Sequence, residues 1–124
     1  MTTNEKLEKI VKILDSKKAQ DIQVIGITNL TIIADYFVIA TGTSTTQVKS
    51  LADEVEFQLG EQGVQPRGIE GIRSANWIVL DYDDIVVHVF HGSTRDEYQL
   101  EKLWADGEKV DISHLLIDET PQNN

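Results

Sequence analysis

Residues 77–90 read Trp-Ile-Val-Leu-Asp-Tyr-Asp-Asp-Ile-Val-Val-His-Val-Phe. Two β-rich hexamers, Trp77 to Tyr82 and Ile85 to Phe90, flank Asp83 and Asp84, a link of the length that hairpins prefer. Counting outward from that link pairs Tyr82 with Ile85, Asp81 with Val86, Leu80 with Val87, Val79 with His88, Ile78 with Val89 and Trp77 with Phe90. Strand alternation then sorts two faces. Ile78, Leu80, Tyr82, Ile85, Val87 and Val89 make a nearly continuous apolar surface, which is core. The opposite face carries Trp77, Val79, Asp81, Val86, His88 and Phe90. It is either a protein interface, since aromatic anchors in a partly polar patch are what interfaces use, or a second core surface covered by a helix.

Upstream, Val48, Leu51, Ala52, Val55 and Leu59 recur at helical spacing and predict a helix from about Thr45 to about Gln62, with Ser44 and Gln47 at capping-box spacing. Gly60 and Gly63 offer its stop. Pro66 limits Val64 to Glu70 to an edge strand at most. Earlier still, Tyr36 to Thr41 is a strand, and the β-branched run Ile22 to Ile27, interrupted by Gly26, is another with a bend or bulge. The apolar stretch Asn29 to Asp35 should join these two as antiparallel neighbours. Leu7, Ile10, Val11 and Leu14 mark a first helix, with Thr2 and Glu5 spaced as a capping box.

Downstream, Thr94 and Glu97 repeat that spacing before Leu100, Leu103 and Trp104, which predicts a helix of about three turns ended by Gly107. Val110, Ile112, Leu115, Leu116 and Ile117 should dock as a short element, and 119–124 should fray. The order predicts one α/β domain over 1–118, a mixed sheet of about five strands flanked by helices.

The 124 residues and their mean hydropathy of -0.23 suit one globular domain with a core. No run reaches the roughly 18 apolar residues that a bilayer needs, and the first ten are too polar for a signal peptide, so a cytoplasmic protein without membrane contact is expected. With no cysteine there are no disulfides, thiol catalysis or zinc-thiolate sites. The net charge of -10 opposes direct nucleic-acid binding. Residues 1–18 hold five Lys and three acids, which leaves a balance of -12 for the rest and makes a basic partner the natural complement.

Enzyme motifs stay at background. Thr41-Gly42-Thr43-Ser44 enters a helix but lacks the Lys of a phosphate loop, and a plain capped helix start explains it. A metal-dependent nucleotidyltransferase or phosphohydrolase would need Asp53 or Asp81 beside that turn, yet Asp53 falls on a helix and Asp83 and Asp84 form a solvated turn. His88, His91 and His114 show no ligand spacing, and no nucleophile elbow exposes Ser44, Ser74 or Ser93. Neither cofactor nor metal is indicated.

Several stretches taken together carry a resemblance: Asp35-Tyr36-Phe37-Val38-Ile39-Ala40-Thr41-Gly42-Thr43-Ser44, Glu70-Gly71, the two hexamers of the hairpin, then Arg95, Tyr98, Leu100, Glu101, Leu103 and Trp104. Over about residues 5 to 106 the chain closely resembles the ribosomal silencing factor family, also called RsfS or Iojap-like. That resemblance implies a nucleotidyltransferase-like core without catalytic residues and a non-enzymatic repressor of translation. It implies binding to the large ribosomal subunit through its basic protein numbered fourteen, which blocks joining of the small subunit under starvation or in stationary phase. It also implies a homodimer when free. Carried over by position, the protein-interaction residues are Trp77, Val79, Asp81, His88, Phe90, Arg95 and Tyr98. Thr46, Asp83 and Glu97 depart from the family's usual Arg, Gly and aromatic.

Overall fold

The computed structural model describes residues 1–117, and the fraying expected of 119–124 lies outside the described residues. The chain runs α1 (Thr3–Ser16), β1 (Gln20–Gly26), β2 (Tyr36–Gly42), α2 (Thr45–Glu61), β3 (Gly68–Glu70), β4 (Trp77–Asp81), β5 (Ile85–His91), α3 (Gly92–Tyr98), α4 (Leu100–Leu103) and β6 (Glu108–Lys109), with a closing 3-10 turn at Ser113–Leu115. This is a single α/β unit whose sheet has six strands in the order β3-β4-β5-β2-β1-β6. The sixth, β6, is the two-residue strand that pairs with Ile25 and Gly26 and that composition alone does not announce.

The hairpin has the register counted from its turn: Trp77 opposite Phe90, Ile78 opposite Val89, Val79 opposite His88, Leu80 opposite Val87 and Asp81 opposite Val86. β5 then pairs in parallel with β2, from Tyr36 with Ile85 to Gly42 with His91. A parallel pair needs a crossover, and α2 with β3 and β4 provides it. β1 lies antiparallel to β2 as expected, but the irregularity in β1 falls between Gln20 and Gln23, away from Gly26. β3 is an edge strand, consistent with Pro66 just before it.

Two cores result. Ile78, Leu80, Tyr82, Ile85, Val87 and Val89 join the helical stripes of α1 and α2 on one face, and Ile112 and Leu115 seal its margin. On the other face Phe37, Ile39, Val86 and Phe90 meet Ile25, Ile27, Ala34 and Leu100. The hairpin's second face is therefore covered in large part.

Local chemistry accounts for the starts of α1 and α2 but not for those of α3 and α4. Thr2 and Glu5 form the reciprocal capping box of α1. Ser44 accepts from the Gln47 amide at 3.0 Å, while the Gln47 side chain turns back to Thr43. Thr94 caps nothing, however: the third helix begins at Gly92 directly after β5 and has no side-chain cap. It is also not one helix of three turns. Gln99 adopts φ 48 and ψ 53, which breaks the segment into α3 and α4. The break turns Leu100 inward to 8% exposure and leaves Leu103 outside at 78%.

The turn at Asp83 and Asp84 reverses another expectation. Asp83 takes a φ of 72 without being glycine and faces solvent, but Asp84 folds against α1. Its carboxylate accepts from Thr3 Oγ1 at 2.5 Å and from Lys6 Nζ at 2.7 Å. Its carbonyl accepts from the Asp35 and Tyr36 amides at 2.7 and 3.1 Å. Burial pulls the Asp84 carboxyl upward, but the hydrogen bonds from Lys6 and Thr3 together outweigh it and hold the group below the ordinary carboxylate range.

Two measurements check this frame. A double-mutant cycle between Lys6→Ala and Asp84→Asn should give a coupling of about 1 kcal/mol at neutral pH. Because the folded pKa is depressed, that increment should be fully present above the ordinary value of 3.8 and fade as pH falls below it. Gly71 has φ 88, and a Cβ there would stand 2.0 Å from the Trp77 carbonyl oxygen. Gly71→Ala should lower the unfolding free energy in urea by about 3 kcal/mol or more, since strain and a backbone clash coincide.

Candidate protein-binding face

Trp77 stands at the start of β4, half-buried, where the hairpin meets α3. Its ring stacks on Phe90 with centroids 4.7 Å apart at 27°, and Tyr98 leans on it from α3 at 5.0 Å. Tyr98 is 57% exposed, whereas Phe90 is completely buried. The three rings thus form a stepped pile from core to solvent. Rings at these separations add stabilisation beyond their area, so the exposed end is held by a fixed base.

His88 orients that base. Its Nδ1 accepts from the Trp77 indole Nε1–H at 3.1 Å, which places the imidazole hydrogen on Nε2. His88 is buried, and burial pushes its pKa down to about 4, so the ring is neutral at ordinary pH. Nε2 has no hydrogen-bond partner among the described residues and lies among rings, with Phe37 edge-on at 4.7 Å. Phe37 in turn meets Trp104 at 5.2 Å and 80°. Phe37, Leu100 and Trp104 form the underside of this face, and the helical spacing of Leu100 and Trp104 was the signal for it.

The remaining candidates separate. Val79 is half-buried beside the same cluster. Asp81 sits at the far end of β4, where Arg67 Nη2 holds its carboxylate at 3.2 Å and the Asp83 amide donates to it at 2.9 Å. Arg95 turns away from the aromatic pile, 6% exposed, and ties α3 to Thr41, to the Asp21 carbonyl and to Glu101. Phe90, His88 and Arg95 therefore shape the face from beneath or behind, while Trp77, Val79 and Tyr98 reach its surface.

The residues weighed for nucleotide chemistry have other employment. A Cβ on Gly42 would lie 2.9 Å from Val48 Cγ2 and 3.0 Å from its amide nitrogen, so this glycine permits α2 to approach β2. Ser44 caps α2, and Thr43 donates twice to Gln47. Asp53 pairs with Lys49 on the open side of α2. Among the described residues no group of three or more His, Asp or Glu side chains converges as a metal ion requires. Among them, too, no helix is long and apolar enough to cross a membrane.

Comparison with known proteins is uniform. The family model described as "Ribosomal silencing factor during starvation" matches residues 1–124. A ribosomal silencing factor of Halalkalibacterium halodurans is 37% identical over 94% of this chain and 99% of its own length. That of Bacillus subtilis is 42% identical over 79% and 83% respectively. A mouse protein named mitochondrial assembly of ribosomal large subunit protein 1 is 32% identical, and 45% of its length is covered. A crystal structure of a Chromobacterium violaceum protein superposes with a TM-score of 0.83 at 36% identity, over 91% of this chain and 93% of that one. With the profile spanning its full length and the fold shared, this chain belongs to the ribosomal silencing factor family.

Proposed function

We propose that this protein represses translation by attaching to the large ribosomal subunit, on its basic protein numbered fourteen, and standing in the path of the small subunit. The reading is supported by the family, whose description is silencing of ribosomes during starvation, and by the mouse relative, whose name refers to assembly of the large ribosomal subunit. The site of action is the cytoplasm, and the free protein pairs with a second copy of itself.

The observation that carries the docking surface is the pile of Phe90, Trp77 and Tyr98. An aromatic that is half-buried, packed on one side and open on the other, presents apolar area without losing much side-chain freedom on binding. Val79 fills the space next to Trp77, and His88 fixes the indole through its N–H. The acidic balance of -12 outside the first 18 residues favours approach of a basic ribosomal protein, and Asp81, one oxygen of which pairs with Arg67, contributes at the edge. Steric repression requires a surface and an affinity, and no bond is made or broken.

Sedimentation with separated ribosomal subunits tests the proposal. The protein should migrate with the large subunit and not with the small one. Trp77→Ala should weaken that binding by about 2 kcal/mol, roughly thirtyfold, with Tyr98→Ala a smaller loss. Both variants should keep the far-ultraviolet circular dichroism of the parent. Binding retained by a folded Trp77→Ala protein would move the contact to another surface, and failure of the parent to migrate with the large subunit would overturn the reading as a whole.

A further inference from the structure

At the carboxyl ends of the parallel strands β2 and β5 the chain departs in opposite directions. β2 leads into α2, whose apolar stripe packs on the α1 side of the sheet. β5 leads into α3 and α4, and Leu100 and Trp104 pack on the other side. Such a divergence opens a crevice at the strand ends, the place where open α/β sheets bind small ligands. Here the crevice holds a cavity of about 380 Å3, lined in part by Asp21, Thr41, Arg95, Asp96, Glu101 and Lys102.

Its wall contains a buried charge that the fold pairs incompletely. Arg95 Nη1 donates to the Asp21 carbonyl and to Thr41 Oγ1, both at 2.7 Å, and Nε donates to Glu101 Oε2 at 2.8 Å. Among the described residues Nη2 makes no hydrogen bond, and neither does Glu101 Oε1, although both atoms are buried. What Nη2 has is an ion pair with Asp21 Oδ2 at 3.3 Å, and that carboxylate is 64% exposed. Asp21 also sits in the irregular stretch of β1 with a φ of 46. Buried polar atoms are almost always paired, so one donor and one acceptor left over within two residues that line the same cavity ask for an explanation. A loosely seated, solvent-washed carboxylate is a plug that a better ligand can replace.

We propose that this cavity binds a small zwitterion, a free α-amino acid, with its carboxylate replacing Asp21 on Arg95 Nη2 and its ammonium group facing Glu101 Oε1 and Asp96. The charges on the wall select that class. Three carboxylates stand against two cations among these residues, so a plain anion such as phosphate meets net repulsion. A plain amine, in turn, leaves the guanidinium donor with the Asp21 ion pair alone. A ligand with both charges a few ångströms apart answers both. This site is separate from the aromatic face and stands or falls without the ribosomal reading.

Titration of the 15N-labelled protein tests it, with L-alanine, L-glutamine and L-lysine as probes and acetate, ethylammonium and inorganic phosphate as partial mimics. At least one amino acid should move the amide signals of Thr41, Gly92 and Gln99 saturably below about 10 mM, at least tenfold more tightly than any mimic. Asp21→Asn removes the internal competitor and should tighten binding severalfold, whereas Asp96→Asn should weaken it. Both side chains are exposed, and circular dichroism should confirm that both variants fold. Absence of saturable shifts with all three amino acids, equal binding of acetate or phosphate, or indifference to both substitutions would overturn the proposal.

Discussion

β5 is buried over Ile85 to Phe90 on both of its faces, and nearly everything else in the molecule answers to that fact. A strand with no solvent face must find partners along both edges and cover above and below. β4 and β2 supply the edges, one antiparallel and one parallel. α1 and α2 supply a thick cover on one side through Leu14, Leu51 and Leu59. Among the described residues the other side has the thinner cover of α3, α4 and the segment around Ala34. That asymmetry leaves the rings of Trp77 and Tyr98 within reach of solvent.

His88 is the one polar side chain in the buried run of β5, and it fixes the ring at the margin of the thinner cover. Pairing it with a carboxylate would bury a charge; pairing it with the Trp77 indole satisfies one nitrogen at small expense and fixes the indole plane. Arg95 plays the corresponding part behind α3. A buried guanidinium linked to β1, β2 and α4 adds little net stability, because its desolvation offsets most of the attraction. What it supplies is geometry: it sets α3 against the strand ends, and the same short helix presents Tyr98 to Trp77.

Much of this was legible in the sequence wherever the determinant was local. The hairpin register followed from a two-residue link and period-two alternation, and the caps of α1 and α2 followed from residues three apart. Legibility ended where the determinant was distant or lay in backbone conformation. Asp84 looked like a solvated turn residue because Thr3 and Lys6 are 81 and 78 positions away. Arg95 entered only as a protein-interaction residue implied by the resemblance, and its buried tie was not legible because its partners Asp21 and Thr41 are 74 and 54 positions away. The left-handed conformation of Gln99 carries no compositional mark, so the third helix read as continuous. The aromatic face was found by alternation, but its depth was not: which ring is core and which is surface depends on how far α4 reaches across the sheet.

The docking face proposed for Trp77 would make opposed demands on the fold, and the division between Phe90 and Tyr98 answers both. Apolar rings open to water favour association, yet the same rings unsupported would collapse inward or aggregate. Placing Phe90 wholly within the core gives Trp77 a rigid floor, and placing Tyr98 on a short helix outside it keeps the top of the pile open. A longer, unbroken third helix would continue in one direction past Tyr98, with no bend to bring Leu100 and Trp104 down onto Phe37. The break at Gln99 therefore does more than end a helix. It lets one segment of a dozen residues close the second core with its latter half while its former half keeps an aromatic surface exposed.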